Sequence, residues 1–248
     1  HKLALIDSSA EIDEGVSIGA FSVIGPEVEI GKNSKIHSHV LVDGPTKIGE
    51  DNEIFQFASV GGDPQDKKYQ KEKTFLEIGN QNVIREGVTI NRGTVQEKSL
   101  TKIGSNNLIM AYCHIAHDCE IHDEVVLVNN ASLAGSVKIQ TGAILGGFTL
   151  VHQFCRVGQY SFSAMGSSIG KDIPAFVRVS GNPAIPRGLN TTGIQRLNLN
   201  KEVSDNLKEA YKILYLRNFK LNDAVTEISK KLSEISEVQI LLDSISAS

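Results

Sequence analysis

An aliphatic side chain returns at every sixth position over residues 6–60, and no other feature of the chain constrains the fold as strongly. A flat strand would repeat every two residues and a helix every 3.6 residues, so neither element alone fits the pattern. Period six therefore requires a short strand and a bend in each unit. A small residue follows most aliphatics by four positions, which gives each unit one large and one small inward side chain. The aliphatic register consists of Ile6, Ile12, Ile18, Ile24, Ile30, Ile36, Val42, Ile48, Ile54 and Val60.

Three such units make a coil of 18 residues, so the sequence predicts a mainly β fold, a parallel β-helix of stacked coils. The register resumes at Ile78, shifts by one residue before Ile103 and continues to Ile169. All units together correspond to roughly eight coils. Two polar segments interrupt the register, and we predict that residues 62–76 and 93–101 form loops outside the column. Loops on a rigid scaffold are common positions for functional sites.

The repeat pattern stops near the C-terminal end of the chain. Pro174, Pro183 and Pro186 predict the end of the sheets, because proline cannot donate to a strand ladder. Apolar residues then follow the spacing of two or three amphipathic helices, with Asn200 and Asn222 as expected N-caps. We therefore predict a β-helix domain over residues 1–188 and a helical domain over 189–248 that covers the last coil.

Composition limits the partners of the protein. The net charge of −4 differs from that of a basic nucleic-acid-binding protein, so we expect no nucleic acid partner. The sequence has neither an apolar run of 18 residues nor a signal-peptide pattern, which predicts no stable membrane insertion and a cytoplasmic protein. Cys113, Cys119 and Cys155 all occupy the small inward position, so we expect buried core residues rather than a disulfide or a metal site.

Histidine is concentrated in one segment, which contains His114, His117 and His122. The period of 18 places His117 at a corner, in one column with Arg92, Gly135 and Gln153, while His152 lies in the neighbouring column. Histidine titrates near neutral pH and can remove a proton from a hydroxyl group. The alternative is that these outward polar residues are simply solvated. Asp118 could hold the His117 ring only at a bend, since neighbours on a strand point to opposite faces.

A zinc site is a second reading of the histidines, because His117 and His122 have the spacing of a ligand pair. A catalytic zinc needs three protein ligands and an open position. The expected third position, after Ile90, is Asn91 rather than histidine. We therefore predict neither a metal nor another cofactor.

The repeat resembles that of the hexapeptide acyltransferases, which fold as left-handed β-helices. Several segments are more specific and resemble the UDP-N-acetylglucosamine O-acyltransferases of lipid A biosynthesis along the whole chain. These segments are QDKKY, NVIREGVTINRGT, NNLIMAYCHIAHDC, NNASLAG, GGFTLVHQFCRVG, DIPAFVRVSGNPA and GLNTTGIQR. HIAHDC, VHQF and the C-terminal G-L-N…R are the most specific among them.

This resemblance implies transfer of a 3-hydroxyacyl group from acyl carrier protein to the sugar 3-hydroxyl of UDP-N-acetylglucosamine. It implies that His117 is the general base, that Asp118 orients it, and that the backbone N–H of Gly135 stabilises the oxyanion. A homotrimer with sites between subunits is implied as well. The implied substrate-binding residues are Asp66, Lys68, His114, His152, Gln153, Asn190 and Arg196.

Some positions depart from the family pattern. Met165 stands where members that accept long acyl chains have glycine, which predicts a shorter acyl group. Four residues replace the polar or charged side chains expected near the substrate: Asn91, Ser136, Thr192 and Leu197.

Partner and alternative functions follow from the same resemblance. Acyl carrier proteins are acidic, so a basic patch is expected to steer them. The candidate patches are Lys67, Lys68, Lys71 and Lys73, or Arg196, Lys201, Lys208 and Arg217. The alternatives are the related UDP-3-O-acylglucosamine N-acyltransferase, which would carry an additional N-terminal uridine-binding domain, and a non-catalytic or zinc-binding repeat protein.

Overall fold

The computed structural model describes residues 1–247, which form a three-sided column of short strands followed by four helices. Strands are numbered in chain order and contribute in turn to three sheets. Sheet 1 contains β1 (Leu5–Ile6), β4 (Val23–Ile24), β7 (Leu41–Val42), β10 (Ser59–Gly62), β13 (Thr89–Asn91), β16 (His114–Ile115), β19 (Ser132–Leu133), β22 (Leu150–Val151) and β25 (Ser168–Ile169). Sheet 2 contains β2 (Glu11–Ile12), β5 (Val28–Ile30), β8 (Thr46–Ile48), β11 (Phe75–Ile78), β14 (Leu100–Ile103), β17 (Glu120–Ile121), β20 (Lys138–Ile139) and β23 (Arg156–Val157). Sheet 3 contains β3 (Ser17–Ile18), β6 (Lys35–Ile36), β9 (Glu53–Ile54), β12 (Val83–Ile84), β15 (Leu108–Ile109), β18 (Val126–Leu127), β21 (Ile144–Leu145), β24 (Phe162–Ser163), β26 (Val177–Ser180) and β27 (Ile185–Leu189).

The predicted fold class is confirmed: the protein is a left-handed parallel β-helix. Strands of successive coils pair in parallel, with Ile115 opposite Ile90 below and Leu133 above. The aliphatic register from Ile24 onward is buried, whereas Ile6 and Ile12 are exposed because no coil covers the first one. Burial of these side chains in a dry core is the main stabilising contribution.

The cysteines are core residues, as predicted. Cys113, Cys119 and Cys155 are buried free thiols. Burial raises the pKa of Cys113 to about 11 and that of Cys119 to about 12, so both thiols stay protonated and unreactive near neutral pH.

The prediction that the prolines end the sheets is wrong. Strand β26 continues sheet 3 after Pro174, and β27 pairs with it in antiparallel orientation. Pro186 lies within β27, where a missing N–H is tolerated because β27 is the edge strand of its sheet. Sheet residues also extend into both predicted loops, so the two long insertions between strands cover residues 63–74 and 92–99.

The four helices are α1 (Thr191–Arg196), α2 (Lys201–Tyr215), α3 (Leu221–Leu232) and α4 (Ser236–Ser246). Asn200 caps α2 by accepting the Val203 N–H at 2.8 Å, as predicted. Asn222 is not an N-cap, because α3 begins one residue earlier and Lys220 occupies the cap position. Helix α4 is tied to the last coil by a hydrogen bond from Ala175 N–H to the Ser244 hydroxyl at 2.9 Å. No helix within residues 1–247 combines the length and the apolar character needed to cross a bilayer.

Candidate active site

Three chain segments meet along the edge where sheet 1 passes into sheet 2, here called edge 1/2. The loop 63–74 connects β10 to β11, and the loop 92–99 connects β13 to β14. His117 lies one coil further on, between β16 and β17. Because the coils stack in register, the two insertions lie along the same edge as the histidine.

His117 and Asp118 form a hydrogen-bonded pair across the corner. Nδ1 of His117 lies 2.8 Å from Oδ2 of Asp118. Asp118 has a φ of 60°, so the backbone is in the left-handed region and the two neighbouring side chains lie on the same side. Asparagine and aspartate tolerate this region better than most residues. The bend therefore lets the two neighbouring side chains form a hydrogen bond, whereas an extended strand would place them on opposite faces.

Asp118 is 3% exposed, and its carboxylate is held by the loop 92–99. Thr94 donates its hydroxyl to Oδ2 at 2.6 Å and its backbone N–H to Oδ1 at 2.9 Å. Lys98 N–H donates to Oδ1 at 3.3 Å, and the Asp118 N–H donates to the Thr101 hydroxyl at 2.8 Å. The carboxylate positioned by these donors can accept the Nδ1–H of His117, which leaves Nε2 free as a base.

Gly135 lies directly against the His117 ring on the next coil. A Cβ at position 135 would lie 2.6 Å from Cε1 and 2.8 Å from Nε2 of His117, closer than a real side chain allows. Only glycine therefore leaves room for the ring in this position. The Gly135 N–H is at a corner, where it is not part of a strand ladder, and its neighbour Ser136 donates to the His117 carbonyl oxygen at 3.0 Å. A donor beside the imidazole is suited to an oxyanion that forms there.

Asp66 and Lys68 lie in the loop 63–74 on edge 1/2. Asp66 accepts the Lys68 N–H at 2.9 Å, a local turn that leaves the Lys68 ammonium exposed. Arg92 fixes this loop from the coil above: its buried guanidinium donates to the Gly61 carbonyl oxygen and to the Asp63 carboxylate. Arg92 is thus a structural anchor rather than an open member of the column.

His114 is half-buried on sheet 1, with Nδ1 2.7 Å from the Thr89 hydroxyl. Burial lowers the pKa of His114, and the positive charge that His117 can carry lowers it further. His114 is therefore neutral near pH 7. In this form it can still form hydrogen bonds, and it does not repel a protonated His117.

His152 and Gln153 continue edge 1/2 on the coil above Gly135. Both side chains are exposed, and Nδ1 of His152 lies 3.2 Å from the Gln153 carbonyl oxygen. Phe154 N–H donates to the Gly135 carbonyl oxygen at 3.1 Å, which fixes the spacing of the two corners. These two side chains are open to a ligand that lies along the edge.

Asn190 and Arg196 lie elsewhere in this chain. They line a cavity of about 470 Å³ on the outside of sheet 3, together with Val126, Ile144, Phe162, Arg178, Leu189, Thr191, Thr192 and Gly193. The Asn190 amide caps α1 by accepting the Gly193 N–H at 3.1 Å and donates to the Tyr160 carbonyl oxygen at 2.9 Å. In a three-sided column sheet 3 faces away from edge 1/2, so one chain does not bring these residues to His117.

Met165 also lies away from His117. It is 78% exposed on the edge between sheets 3 and 1, here called edge 3/1, between β24 and β25. A Cβ on Gly147, one coil below, would be 3.9 Å from Cγ of Met165, so the methionine projects next to an open glycine surface.

The sequence analysis missed Thr94, which donates hydrogen bonds to the Asp118 carboxylate from both its hydroxyl and its backbone N–H. The available signal was the insertion itself, since a loop one coil before a corner histidine can fold back onto that corner. Within residues 1–247, no three or more His, Cys, Asp or Glu side chains are grouped so that they could hold a metal ion.

Comparisons with known proteins agree on one family. Residues 172–248 match the family model described as UDP N-acetylglucosamine O-acyltransferase, domain 2, and residues 9–44 and 100–135 match the bacterial transferase hexapeptide repeat. The acyl-[acyl-carrier-protein]–UDP-N-acetylglucosamine O-acyltransferase of Stutzerimonas stutzeri is 52% identical over 245 residues, which cover 99% of this chain and 95% of the relative. The enzyme of the same name from Herminiimonas arsenicoxydans is 51% identical over 90% of this chain and 86% of its own length.

Solved structures give the same result. The structure of LpxA from Acinetobacter baumannii superposes with a TM-score of 0.98 at 47% identity, covering all of this chain and 96% of the other. The UDP-N-acetylglucosamine O-acyltransferase from Moraxella catarrhalis gives a TM-score of 0.97 at 43% identity, with the same coverage of 100% and 96%.

Proposed function

The chain belongs to the acyl-[acyl-carrier-protein]–UDP-N-acetylglucosamine O-acyltransferases, and we propose how its residues carry out the reaction of that family. It is an O-acyltransferase that takes an acyl group from acyl carrier protein and transfers it to UDP-N-acetylglucosamine in the first step of lipid A biosynthesis. The acyl group is a 3-hydroxyacyl chain and the acceptor atom is the sugar 3-hydroxyl oxygen. The hydrogen-bonded pair of His117 and Asp118 beside Gly135 is the observation that carries the mechanism.

His117 acts as the general base. Its Nδ1–H is held by Asp118, so Nε2 takes the proton of the sugar 3-hydroxyl while the oxygen attacks the thioester carbonyl carbon. The Gly135 N–H donates to the resulting oxyanion, an interaction that contributes about 3 kcal/mol in comparable sites. When the tetrahedral intermediate collapses, the carbon–sulfur bond breaks and the protonated His117 returns its proton to the thiolate of the carrier.

The other site residues bind the substrates in this proposal. Asp66 and Lys68 contact the glucosamine from the loop 63–74, and His114 lies near the 3-position. His152 and Gln153 face the nucleotide and diphosphate, together with Asn190 and Arg196. Met165 limits the length of the acyl chain.

We propose that the functional unit is a homotrimer, because the three faces of the column differ in charge. The outward positions of sheet 1 carry no Asp, Glu, Lys or Arg: Leu5, Val23, Leu41, Ser59, Thr89, His114, Ser132, Leu150 and Ser168. In sheet 2 every outward residue is charged except Phe75 and Leu100, whereas the middle of sheet 3 is apolar (Val83, Leu108, Val126, Ile144 and Phe162). Sheet 2 is therefore suited to water, and sheets 1 and 3 are suited to neighbouring subunits.

Edge 3/1 supports the same assembly. Four of its aromatic side chains are more than half exposed: Phe21, Phe57, Tyr112 and Phe148. A complete site needs edge 1/2 of one copy to face the sheet 3 cavity of another. Such a contact joins two different surfaces. Repeated contacts of this kind form a ring when the rotation between copies closes, and the smallest such ring beyond a dimer contains three copies.

We also propose that the enzyme works in the cytoplasm. The three free cysteines fit a reducing compartment, in which disulfides are rare. Detection of the protein in the membrane or periplasmic fraction of its cells would contradict this assignment.

The activity test uses purified protein, UDP-N-acetylglucosamine and a 3-hydroxyacyl carrier protein. His117→Ala is expected to lower kcat by about 100- to 10,000-fold, because the proton then passes to water alone. His122→Ala is the matched control: His122 lies in the same segment, is exposed, and its Nε2 lies 3.4 Å from a Glu120 carboxylate oxygen rather than next to Asp118. Similar turnover of both variants and the wild type would contradict the role of His117.

A further inference from the structure

The outward face of sheet 2 divides into an acidic half and a basic half. Directly before the last inward aliphatic, the first four strands carry the outward residues Glu11, Glu29, Lys47 and Glu77, which pair in register from coil to coil. Those of the last four are Lys102, Glu120, Lys138 and Arg156. The first set has a net charge of −2 and the second a net charge of +2. The basic half begins at Lys102, one coil below the coil that contains His117.

The loop 92–99 adds a further cation to the basic half. We define the basic stripe as Lys98, Lys102, Glu120, Lys138 and Arg156. The stripe thus contains four cations and one carboxylate, and two of the cations pair with it: Nζ of Lys98 lies 2.9 Å and Nζ of Lys138 3.7 Å from the Glu120 carboxylate. The two lysine cations lower the pKa of Glu120, so it stays ionised and holds both ammonium groups in place. The stripe retains a net charge of +3.

The basic stripe lies next to the proposed catalytic pair. A shallow pocket of about 150 Å³ is lined by Lys98, Leu100, Lys102, Asp118, Cys119 and Glu120, so stripe residues and the carboxylate that holds His117 share one depression. The same loop that supplies Lys98 to the stripe supplies Thr94 to Asp118. A molecule bound on the stripe would therefore be close to edge 1/2.

We propose that the acidic face of the acyl carrier protein docks on the basic stripe of sheet 2 and delivers its thioester around edge 1/2 to His117. This proposal rests on the proposed function, since it identifies how the carrier protein of that reaction is bound. Coils are about 4.8 Å apart, so the outward side chains from Lys102 to Arg156 span about 14 Å. Carboxylates on one face of a helix recur about every 5.4 Å and match this spacing. The acidic half of sheet 2 repels the same partner and so restricts docking to the basic half, which includes the coil of His117.

Several cations outside the basic stripe are paired one to one with a carboxylate. On the helices, Lys208 is paired with Asp205 at 2.8 Å and Arg217 with Glu209 at 2.6 Å. On the loop 63–74, Lys73 is paired with Glu27. The basic stripe contains four cations and one carboxylate, so the stripe keeps more positive charge available for a partner than these one-to-one pairs do.

The test measures KM for two donors, the acyl carrier protein thioester and the same acyl group on free pantetheine. The double variant Lys102→Glu/Lys138→Glu is expected to raise KM for the carrier-bound donor by about tenfold at low salt. Turnover of the pantetheine thioester and KM for UDP-N-acetylglucosamine are expected to stay at wild-type values. At about 1 M salt, where the screening length is about 3 Å, the difference between variant and wild type should largely disappear.

Lys47→Glu is the matched control, because Lys47 occupies the same outward position of sheet 2 in the acidic half and pairs with Glu29 at 3.1 Å. It should leave KM for both donors unchanged. A wild-type KM for the carrier-bound donor in the double variant, or an equal loss with both donors, would overturn the docking proposal. Failure of the wild-type protein to use either donor would instead contradict the proposed function.

Discussion

Thr94 and Asp118 are joined by a side-chain and a backbone hydrogen bond that connect a loop to the corner of the next coil. The Thr94 hydroxyl donates to Oδ2 of Asp118 at 2.6 Å, and this is the oxygen that also accepts from His117. The loop thereby fixes the carboxylate, and the carboxylate fixes the imidazole. Such buried support determines how precisely a catalytic group is oriented.

Replacement of Thr94 by valine should therefore lower kcat/KM. The variant keeps the shape of the side chain but loses a hydrogen bond to a charged group, which corresponds to a decrease of about tenfold. Thr94→Ser retains the hydroxyl and should stay close to wild type. Steady-state kinetics of both variants check the prediction, and equal losses in valine and serine variants would indicate a role of packing alone.

A methyl group at position 135 should displace the His117 ring. Because Cβ of Gly135→Ala would lie 2.6 Å from Cε1, the imidazole must move, and a shift of about 1 Å in a catalytic group can reduce kcat by about 100-fold. Gly170→Ala is the control, since a Cβ at position 170 meets no atom within 4 Å. Comparable kcat values for the two alanine variants would contradict the prediction, because they would show that the His117 ring is not displaced by a methyl group at position 135.

Mixed subunits should test whether each site is shared. His117→Ala removes the base from edge 1/2, and Arg196→Glu places a carboxylate in the cavity on sheet 3. Each variant alone is expected to be nearly inactive. If sites form between copies, unfolding and refolding the two variants together in equal amounts should restore activity at about a quarter of the sites, because only one of four random contacts has both intact surfaces. An inactive mixture that has the size of a trimer would contradict the shared site.

Met165 should control the preferred length of the acyl chain. Its exposed side chain projects from edge 3/1 beside Gly147, so Met165→Gly would lengthen the space available to an acyl chain there. We expect the ratio of kcat/KM for longer to shorter 3-hydroxyacyl donors to rise, while Met165→Leu keeps the wild-type preference. An assay with a panel of carrier-bound donors checks this prediction. An unchanged preference in the glycine variant would show that Met165 does not limit the length of the acyl chain.

Much of the architecture could be predicted because it is encoded locally. One large and one small inward residue in every six define a strand and a corner wherever they occur, so the coils and their stacking period follow from the pattern. The stacking period in turn places His117, Gly135 and Gln153 in one column. Identification of the family came from the motifs around these residues, HIAHDC and VHQF.

The errors concerned positions at which neighbouring elements override a local preference. Pro186 was expected outside the sheets, yet an edge strand accommodates it. Asn222 was expected to cap α3, yet the helix already begins at Leu221. Arg92 shares the column of His117, but its guanidinium is used to hold the loop 63–74.

The sequence by itself determined the coil, its period and the column of residues at edge 1/2, because each of these depends on which side chains must be buried every six positions. Only the tertiary structure decided that Asp118 turns back towards His117 and that Thr94, 24 positions earlier in the chain, forms a hydrogen bond to Asp118. It also decided that Asn190 and Arg196 lie on the face opposite edge 1/2. The physical reason is that a burial pattern describes short segments, whereas the path of an inserted loop and the backbone angle of one corner depend on contacts between distant parts of the chain.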